Sequence, residues 1–211
     1  MTARVITISA SFGAGGSIVG PAVADRLDLP FLDRIIPATV AGDLDVPIGQ
    51  ALAHDEKPSS IIARLIAKLG STALPYGATP VPGADPVVDE DVFRERTEQI
   101  IRELAAGDGG VILGRAAAIV LADRRDALHV RLDGDREGRT ARVAERHGIE
   151  WDRAASLLDE ADRAREAYVR HFYKADAHDA RLYHLKIDSV VLSPETCVAL
   201  IATAATAIST A

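Results

Sequence analysis

Short apolar runs rich in β-branched residues alternate along the chain with longer amphipathic stretches. This alternation is typical of a parallel β-sheet whose strands are connected by helices. The predicted strands are Val5 to Ser9, Pro30 to Leu32, Gly110 to Leu113, Leu128 to Leu132 and Leu185 to Asp188. The predicted helices are Ser17 to Leu27, Asp89 to Ala106, Asp135 to His147, Trp151 to Lys174 and Ser193 to Ile208. The pattern therefore predicts an α/β fold, with ligands expected at the carboxyl ends of the strands.

Two features interrupt this regular pattern. Pro21 lies close to the first turn of the first predicted helix and is expected to distort it. The stretch between the second and third predicted strands is far longer than the connections usual in such folds. It contains a predicted helix from Pro58 to Leu69 and a proline- and glycine-rich segment from Leu74 to Pro86, which we interpret as a loop or hinge.

Composition limits the classes of protein to which the chain can belong. Of its 211 residues 48% are hydrophobic, which is enough to form a buried core and excludes a disordered chain. The net charge of −7 argues against a general nucleic-acid-binding protein. Cys197 is the one cysteine, and without CxxC or HxxxH pairs we expect no zinc site. Since no signal peptide or membrane-spanning stretch is recognisable, we expect a soluble, cytoplasmic protein with no membrane partner.

A glycine-rich segment, Ser11-Phe12-Gly13-Ala14-Gly15-Gly16-Ser17, lies between the first predicted strand and the first predicted helix. Glycines allow main-chain N–H groups to turn inward, and the start of a helix adds a positive dipole end. Together they favour a phosphate-binding loop, in which the hydroxyl of Ser17 is a candidate ligand for Mg²⁺. The alternative is a tight strand-to-helix turn that needs only a permissive backbone.

This segment departs from the standard phosphate-binding pattern GxxxxGK[ST] at two positions. Aligned on residues 10–17, the pattern matches Gly15 and Ser17, but Ala10 stands in place of the first glycine and Gly16 in place of the lysine. The lysine normally neutralises charge on the transferred phosphoryl group. Either an arginine from another part of the chain supplies that charge, or turnover is slow.

Arginines are concentrated in the middle of the chain, where residues 115–174 hold 13 of the 24 Lys and Arg residues. Arg115 directly follows a predicted strand and a glycine, a position that suits bidentate binding of phosphate, although an ion pair is the alternative. Arg163 and Arg165 lie within a charged helix and, being two residues apart, do not share a face. They could still straddle a phosphate in a closing lid; otherwise they form a solvated face.

For the other polar residues the sequence does not single out one functional role. Asp33 and Arg34 follow the second strand and are either a helix cap with a surface arginine or substrate contacts. The histidines show no pattern that pairs them with a nucleophile, so we interpret them as structural or surface residues. Trp151 and Cys197 are interpreted as packing residues.

Seven segments carry a resemblance to a known family. They are Thr7-Ile8-Ser9, Phe12-Gly13-Ala14-Gly15-Gly16, Leu29-Pro30-Phe31-Leu32-Asp33-Arg34, Val111-Ile112-Leu113-Gly114-Arg115, Leu128-His129-Val130-Arg131-Leu132, Asp162-Arg163-Ala164-Arg165 and Leu185-Lys186-Ile187-Asp188-Ser189. In order and spacing they resemble the cytidylate kinase-like proteins, a divergent branch of the P-loop nucleoside monophosphate kinases. That branch commonly has glycine at the lysine position and tends to carry an arginine just after the first strand, where this chain has Ala10.

The resemblance implies a single three-layer P-loop kinase domain over residues 1–211, with a five-stranded parallel sheet. An inserted monophosphate-binding region would span residues 35–88 and a helical lid residues 148–178. The implied reaction transfers the γ-phosphoryl group of Mg²⁺-bound ATP to CMP or dCMP.

The resemblance also implies a role for each candidate residue. The loop of residues 11–17 would bind ATP, with Ser17 at the metal. The implied substrate contacts are Asp33, Arg34, Arg115, Asp162 and Arg165, and the implied catalytic arginines are Arg115, Arg163 and Arg165. Two alternatives stay open: a catalytically weak or inactive nucleotide-binding protein, and a kinase of another small molecule on the same scaffold.

Overall fold

The computed structural model describes residues 3–33 and 90–208. The chain divides into two compact units, one formed by residues 1–34 with 100–211 and the other by residues 35–99. Of the second unit only residues 90–99 lie in the described ranges, and there Arg94 and Glu98 pair across one helical turn at 3.9 Å.

A five-stranded parallel sheet forms the centre of the first unit. Its strands are β1 (Val5–Ala10), β2 (Phe31–Leu32), β3 (Gly110–Leu113), β4 (Ala127–Asp133) and β5 (Leu185–Asp188). Their order across the sheet is β2-β3-β1-β4-β5, and every neighbouring pair is parallel. Because β3 and β4 lie on opposite sides of β1, the chain changes direction of winding at β1. A crevice for ligands is expected outside the carboxyl end of that strand.

Six α-helices are seen in the described part of the chain. They are α1 (Gly16–Leu27), α2 (Glu90–Ala106), α3 (Ala117–Val120), α4 (Arg136–His147), α5 (Trp151–Tyr173) and α6 (Pro194–Ala207), with a 3₁₀ turn at Ala180–Leu182. Asp135 and Ser193 cap α4 and α6 by accepting hydrogen bonds from main-chain amides of the first turn. Gly148 ends α4 in the left-handed conformation at φ 61°, which glycine adopts without strain.

The sheet is covered by helices on both faces. On one face, apolar residues of α1 and α6 pack on the strands, among them Val19, Val23, Cys197 and Ile201. On the other face, Ile101 and Ala105 of α2 pack with α3 against Val5, Ile112 and Ala127. Burial on both faces explains why the inner strand β3 is continuously apolar, whereas the edge strand β5 alternates apolar and exposed charged residues. The resulting three-layer α/β/α arrangement confirms the fold class that the sequence predicts.

The predicted elements agree with the observed ones to within one or two residues. α1 continues through Pro21, so this proline does not end the helix. The sequence analysis missed α3 and the 3₁₀ turn, which are too short to show a periodic pattern. The interpretation of Trp151 as a packing residue is wrong, because 45% of its surface is exposed at the start of α5, whereas Cys197 is fully buried. Pro58 to Leu69 and Leu74 to Pro86 lie outside the described residues.

No helix within the described ranges is both long and apolar enough to cross a bilayer.

A small polar cluster joins the inner strands β1 and β4 of the sheet. Nδ1 of His129, in β4, lies 2.8 Å from the Thr7 hydroxyl of β1, and the His129 ring stacks on that of His184 with centroids 4.9 Å apart. The His129 side chain is almost fully buried. Burial, with a smaller contribution from His184, lowers the pKa of His129 from 6.5 to about 4. The folded protein therefore holds this imidazole neutral.

This low pKa predicts a loss of stability in mild acid. The unfolded chain binds a proton at His129 near pH 6.5, whereas the folded chain binds it only near pH 4. The neutral imidazole therefore contributes its full share to the free energy of unfolding above pH 6.5, and this share is lost as the pH falls towards 4. From about pH 7.5 to about pH 5 the free energy of unfolding should fall by about 2 kcal/mol through this group. Urea unfolding at these two pH values measures this change in the free energy of unfolding. His129→Gln should show a correspondingly smaller pH dependence, and an equal dependence in both proteins would contradict the assignment.

Candidate phosphate-binding site

The loop between β1 and α1 presents main-chain amides towards the carboxyl edge of the sheet. Gly13 and Gly15 adopt positive φ angles of 80° and 76°, and Gly15 caps α1. No hydrogen bond joins the amides of Gly13, Gly15, Gly16 or Ser17 to any residue of the described ranges. Four main-chain donors without a described partner thus lie in one turn, together with the positive end of the α1 dipole. Such a turn can bind an anionic oxygen, most readily one of a phosphate.

Hydrogen bonds to β4 and to the residue that follows β5 hold the loop in place. Ser189, buried after β5, donates its hydroxyl to the carbonyl oxygen of Ala14 at 2.8 Å. Ser11 donates its hydroxyl to Asp133 Oδ1 and accepts a hydrogen bond from Arg131, both at 2.8 Å. Burial alone would raise the pKa of Asp133, but the hydrogen bond from Ser11 and the nearby Arg131 lower it overall. Asp133 is therefore an anion that anchors the loop.

Position 16 has no room for a side chain. A Cβ built on Gly16 would lie 2.7 Å from Cβ of Ala10 and 3.1 Å from Cδ1 of Leu113. The two departures from the standard phosphate-loop pattern therefore meet in space, since the methyl group of Ala10 lies against the site from which a lysine would start. The loop cannot carry its own lysine while Ala10 is present.

Position 15 offers the opposite environment. A Cβ built on Gly15 would have no atom of the described residues within 4 Å, so this part of the turn faces space that none of those residues fills. Within residues 3–33 and 90–208, no group of three or more His, Cys, Asp and Glu side chains could hold a metal ion. The amides, the free face at Gly15 and the hydroxyl of Ser17 fit the phosphates of a nucleotide with its metal ion.

Helix α5 is joined to the loop through one carboxylate. Oδ1 of Asp162 accepts the main-chain N–H of Phe12 at 2.8 Å, and Oδ2 lies 2.6 Å from Nη1 of Arg139. The same nitrogen of Arg139 also donates to the carbonyl oxygen of Phe12 at 2.9 Å. Arg165 lies 3.5 Å from Asp162 and stacks on the Phe12 ring at 5.3 Å from its centroid. The loop, α4 and α5 are thereby linked around one partly buried carboxylate.

Arg115 follows β3 in a strained backbone segment. Gly114, Arg115 and Ala116 have successive φ angles of 77°, 57° and 52°, and the left-handed region is unfavourable for the two non-glycine residues. Burial lowers the pKa of Arg115, while Tyr168, Tyr173 and Asp33 favour its charged form. Because a guanidinium stays protonated even when it is partly buried, Arg115 remains a positive charge at this position. Local strain of this kind is found most often where a side chain must be aimed at a ligand.

The hydroxyl of Ser17 accepts a hydrogen bond from Arg146 at 3.1 Å. Arg146 is an exposed residue in the last turn of α4. Its guanidinium therefore reaches the first turn of α1, next to the free amides of the loop.

The structure gathers most of the residues singled out in the sequence, but not all of them. Asp162 and Arg165 contact the loop, and Asp33 lies near Arg115. Arg163 is exposed and does not join this cluster; a hydrogen bond from Arg136 lowers the pKa of Asp159, and Arg163 adds a smaller effect there. Arg34 lies outside the described residues.

Four residues around the loop were not identified from the sequence. They are Arg131, Asp133, Arg139 and Arg146. Arg131 and Asp133 are two positions apart in a strand, so their side chains lie on the same face of the sheet. The sequence could therefore have indicated that they act together. Arg139 and Arg146 belong to a helix rich in arginine, and nothing in the local sequence distinguishes them from its solvated arginines.

Comparisons with known proteins give matches in sequence and in fold. The sequence matches the cytidylate kinase-like family over residues 5–190. It is similar to a cytidylate kinase of Methanopyrus kandleri, with 32% identity over 114 residues that make up 50% of this chain and 56% of that protein. The chain thus spans about half the length of this curated relative.

Two solved structures are similar in fold. An uncharacterized protein from Eubacterium ventriosum superimposes with a TM-score of 0.61 at 20% identity, covering 95% of this chain and 97% of that chain. A gluconokinase from Sinorhizobium meliloti gives a TM-score of 0.51 at 18% identity, covering 98% and 93%. At such low identity the likeness concerns the fold alone. The match over residues 5–190 shows that the chain belongs to the cytidylate kinase-like family.

Proposed function

We propose that the protein transfers the γ-phosphoryl group of ATP to CMP or dCMP. The observation that carries the proposal is that two features suited to phosphate binding lie at adjacent strand ends. The amide-lined loop follows β1 and the partly buried Arg115 follows β3, and Gly114 donates its N–H to the carbonyl oxygen of Ile8 in β1 at 2.9 Å. A donor and an acceptor phosphate bound at these two points would lie beside each other, as a direct transfer requires.

On the donor side, the amides of the loop would bind the β- and γ-phosphates of ATP. Mg²⁺ bound with ATP would neutralise charge on these phosphates, and Ser17 is the loop hydroxyl that would contact it. The space in front of Gly15 would take the phosphate chain. The loop supplies charge stabilisation and orientation and no proton transfer, which suits a phosphoryl transfer.

On the acceptor side, Arg115 would hold the monophosphate through its planar guanidinium. Asp33, and Arg34 beyond the described residues, would contact the acceptor nucleotide. Residues 35–88 would form the monophosphate-binding region, and residues 148–178 would act as a lid. Within this lid Asp162 and Arg165 would approach the acceptor or the transferred group, while Arg163 would need to move from its exposed position.

A second function, nucleotide binding with little or no catalysis, is favoured by one observation. The carboxylate of Asp162 already pairs with Arg139 and Arg165, so part of the positive charge near the loop is neutralised within the protein. The absence of a loop lysine further reduces the positive charge available for phosphoryl transfer. A third function, phosphorylation of another small molecule, is compatible with the same scaffold.

Measuring phosphoryl transfer from ATP to a panel that contains both nucleoside monophosphates and small non-nucleotide acceptors separates these functions. Formation of CDP or dCDP with Mg²⁺ supports the proposal. Tight ATP binding without any product favours the nucleotide-binding protein. Product formed only with a non-nucleotide acceptor favours the other kinase, and failure to bind ATP contradicts all three.

Gly15→Val should weaken ATP binding by at least about tenfold, because the added side chain projects into the space proposed for the phosphates. Isothermal titration with ATP measures the effect. The left-handed φ of residue 15 also costs stability, about 1 to 2 kcal/mol. Gly148→Val is the matched control for stability, since Gly148 also has positive φ and no described atom within 4 Å of an added Cβ. Unchanged ATP affinity in Gly15→Val would contradict the loop assignment.

A further inference from the structure

We infer that Arg146 supplies the positive charge that the phosphate-binding loop lacks. The inference rests on the proposed function and adds to it a phosphate-binding residue from helix α4. Its basis is the 3.1 Å hydrogen bond from Nη1 of Arg146 to Oγ of Ser17, across 129 positions of sequence. This contact brings a guanidinium to the first turn of α1, where the loop amides converge.

The loop itself cannot provide this charge. Position 16, where the standard pattern has lysine, is closed to any side chain by Ala10 and Leu113. Position 10 holds a methyl group. A cation for the bound triphosphate must therefore come from another element that reaches the start of α1.

The other arginines next to the loop are already engaged by carboxylates. Arg139 and Arg165 pair with Asp162, and Arg131 lies 3.8 Å from Asp133. Arg146, in contrast, has no carboxylate within 4 Å among residues 3–33 and 90–208. Its contact at the loop is a neutral hydroxyl, so its charge is not neutralised there.

The chemistry favours a transfer of this contact to phosphate. A guanidinium binds a phosphate oxygen more strongly than a neutral hydroxyl, and it can do so through two parallel hydrogen bonds. The exposed side chain of Arg146 can turn a short distance from Ser17 to an oxygen held by the loop amides. This movement would also remove a competing cation from Ser17, the residue proposed to contact Mg²⁺.

Titration of ATP into four proteins tests the inference: the wild type, Arg146→Ala, Arg146→Lys and Arg125→Ala. Arg146→Ala should weaken ATP binding by about 10- to 50-fold, and Arg146→Lys by no more than about fivefold, because it keeps the charge. Adenosine, which has no phosphate, should bind equally to all four. Arg125, exposed in the turn before β4 at the opposite edge of the sheet, is the control for the loss of one positive charge.

The same titrations in a Ser17→Ala background separate direct phosphate binding from positioning of the hydroxyl. If Arg146 binds phosphate, Arg146→Ala should reduce ATP affinity by a similar factor whether or not the hydroxyl is present. No further loss in the Ser17→Ala background overturns the inference, as does an equal loss of ATP and adenosine binding.

The inference and the proposed function can fail separately. If the wild type binds ATP and forms CDP while Arg146→Ala binds ATP as tightly as the wild type, only the inference is wrong. If the wild type does not bind ATP, both are wrong.

Discussion

Replacing Arg115 by alanine should lower kcat/KM for phosphoryl transfer to CMP by about 10²- to 10³-fold, the usual effect of removing a preorganised charge from a reaction centre. The partly buried side chain of Arg115 is held by a strained backbone at the carboxyl end of β3. Its loss would remove both the binding energy and the orientation of the acceptor phosphate. Steady-state kinetics with CMP varied at saturating ATP measure the effect.

Three comparisons make this result specific. ATP affinity should stay within about twofold of the wild type, because Arg115 is proposed to bind the acceptor and not the donor. Arg115→Lys should recover only part of the rate, since an ammonium group cannot reproduce the planar two-point contact. Arg125→Ala, at the opposite edge of the sheet, should retain full activity. A folded Arg115→Ala protein with unchanged kcat/KM would contradict the proposed acceptor site.

Asp162→Asn should lower the free energy of unfolding by about 2 to 4 kcal/mol, because it leaves a largely buried guanidinium without its counter-charge. The side chains of Asp162 and Arg139 are only 19% and 11% exposed, and their atoms lie 2.6 Å apart. Asparagine can still accept the hydrogen bond from the Phe12 amide, so the loss measures the charge pair and not the whole contact. Urea unfolding followed by circular dichroism measures the change.

The same pair of helices provides a matched control one turn away. Asp159 of α5 pairs with Arg136 of α4 at 2.8 Å, but these side chains are 42% and 51% exposed. Asp159→Asn should therefore change stability far less than Asp162→Asn, because water already screens the exposed pair. Equal losses in the two variants would show that burial of the Asp162 pair does not decide its contribution.

Local patterns in the sequence predicted the elements of this fold well. The predicted bounds of Gly110–Leu113 and Leu185–Asp188 agree with the observed strands, and the helix ends at His147 and Leu27 are also as predicted. Periodicity and capping residues depend only on neighbouring positions, so they can be interpreted without knowledge of distant contacts. The short helix Ala117–Val120 was missed because one turn is too short for a periodic signal.

The site could be predicted only in part. The glycine loop and Arg115 are recognisable because each follows a strand directly, and the carboxyl ends of parallel strands meet at one edge. Arg146 and Arg139 do not follow a strand directly, so the sequence did not mark them as site residues. Each resembles the solvated arginines of the same helix until the packing of α4 is known.

The sequence by itself determined the α/β fold class, the position of the loop and its lack of lysine, since all of these are encoded in local order and composition. Only the tertiary structure decided which charges act on that loop. It brought Asp162 to Phe12 across 150 positions and Arg146 to Ser17 across 129. It also placed the methyl group of Ala10 against Gly16. The physical reason is that an ion pair or a steric contact depends on distance in space, which is set only when strands and helices pack together.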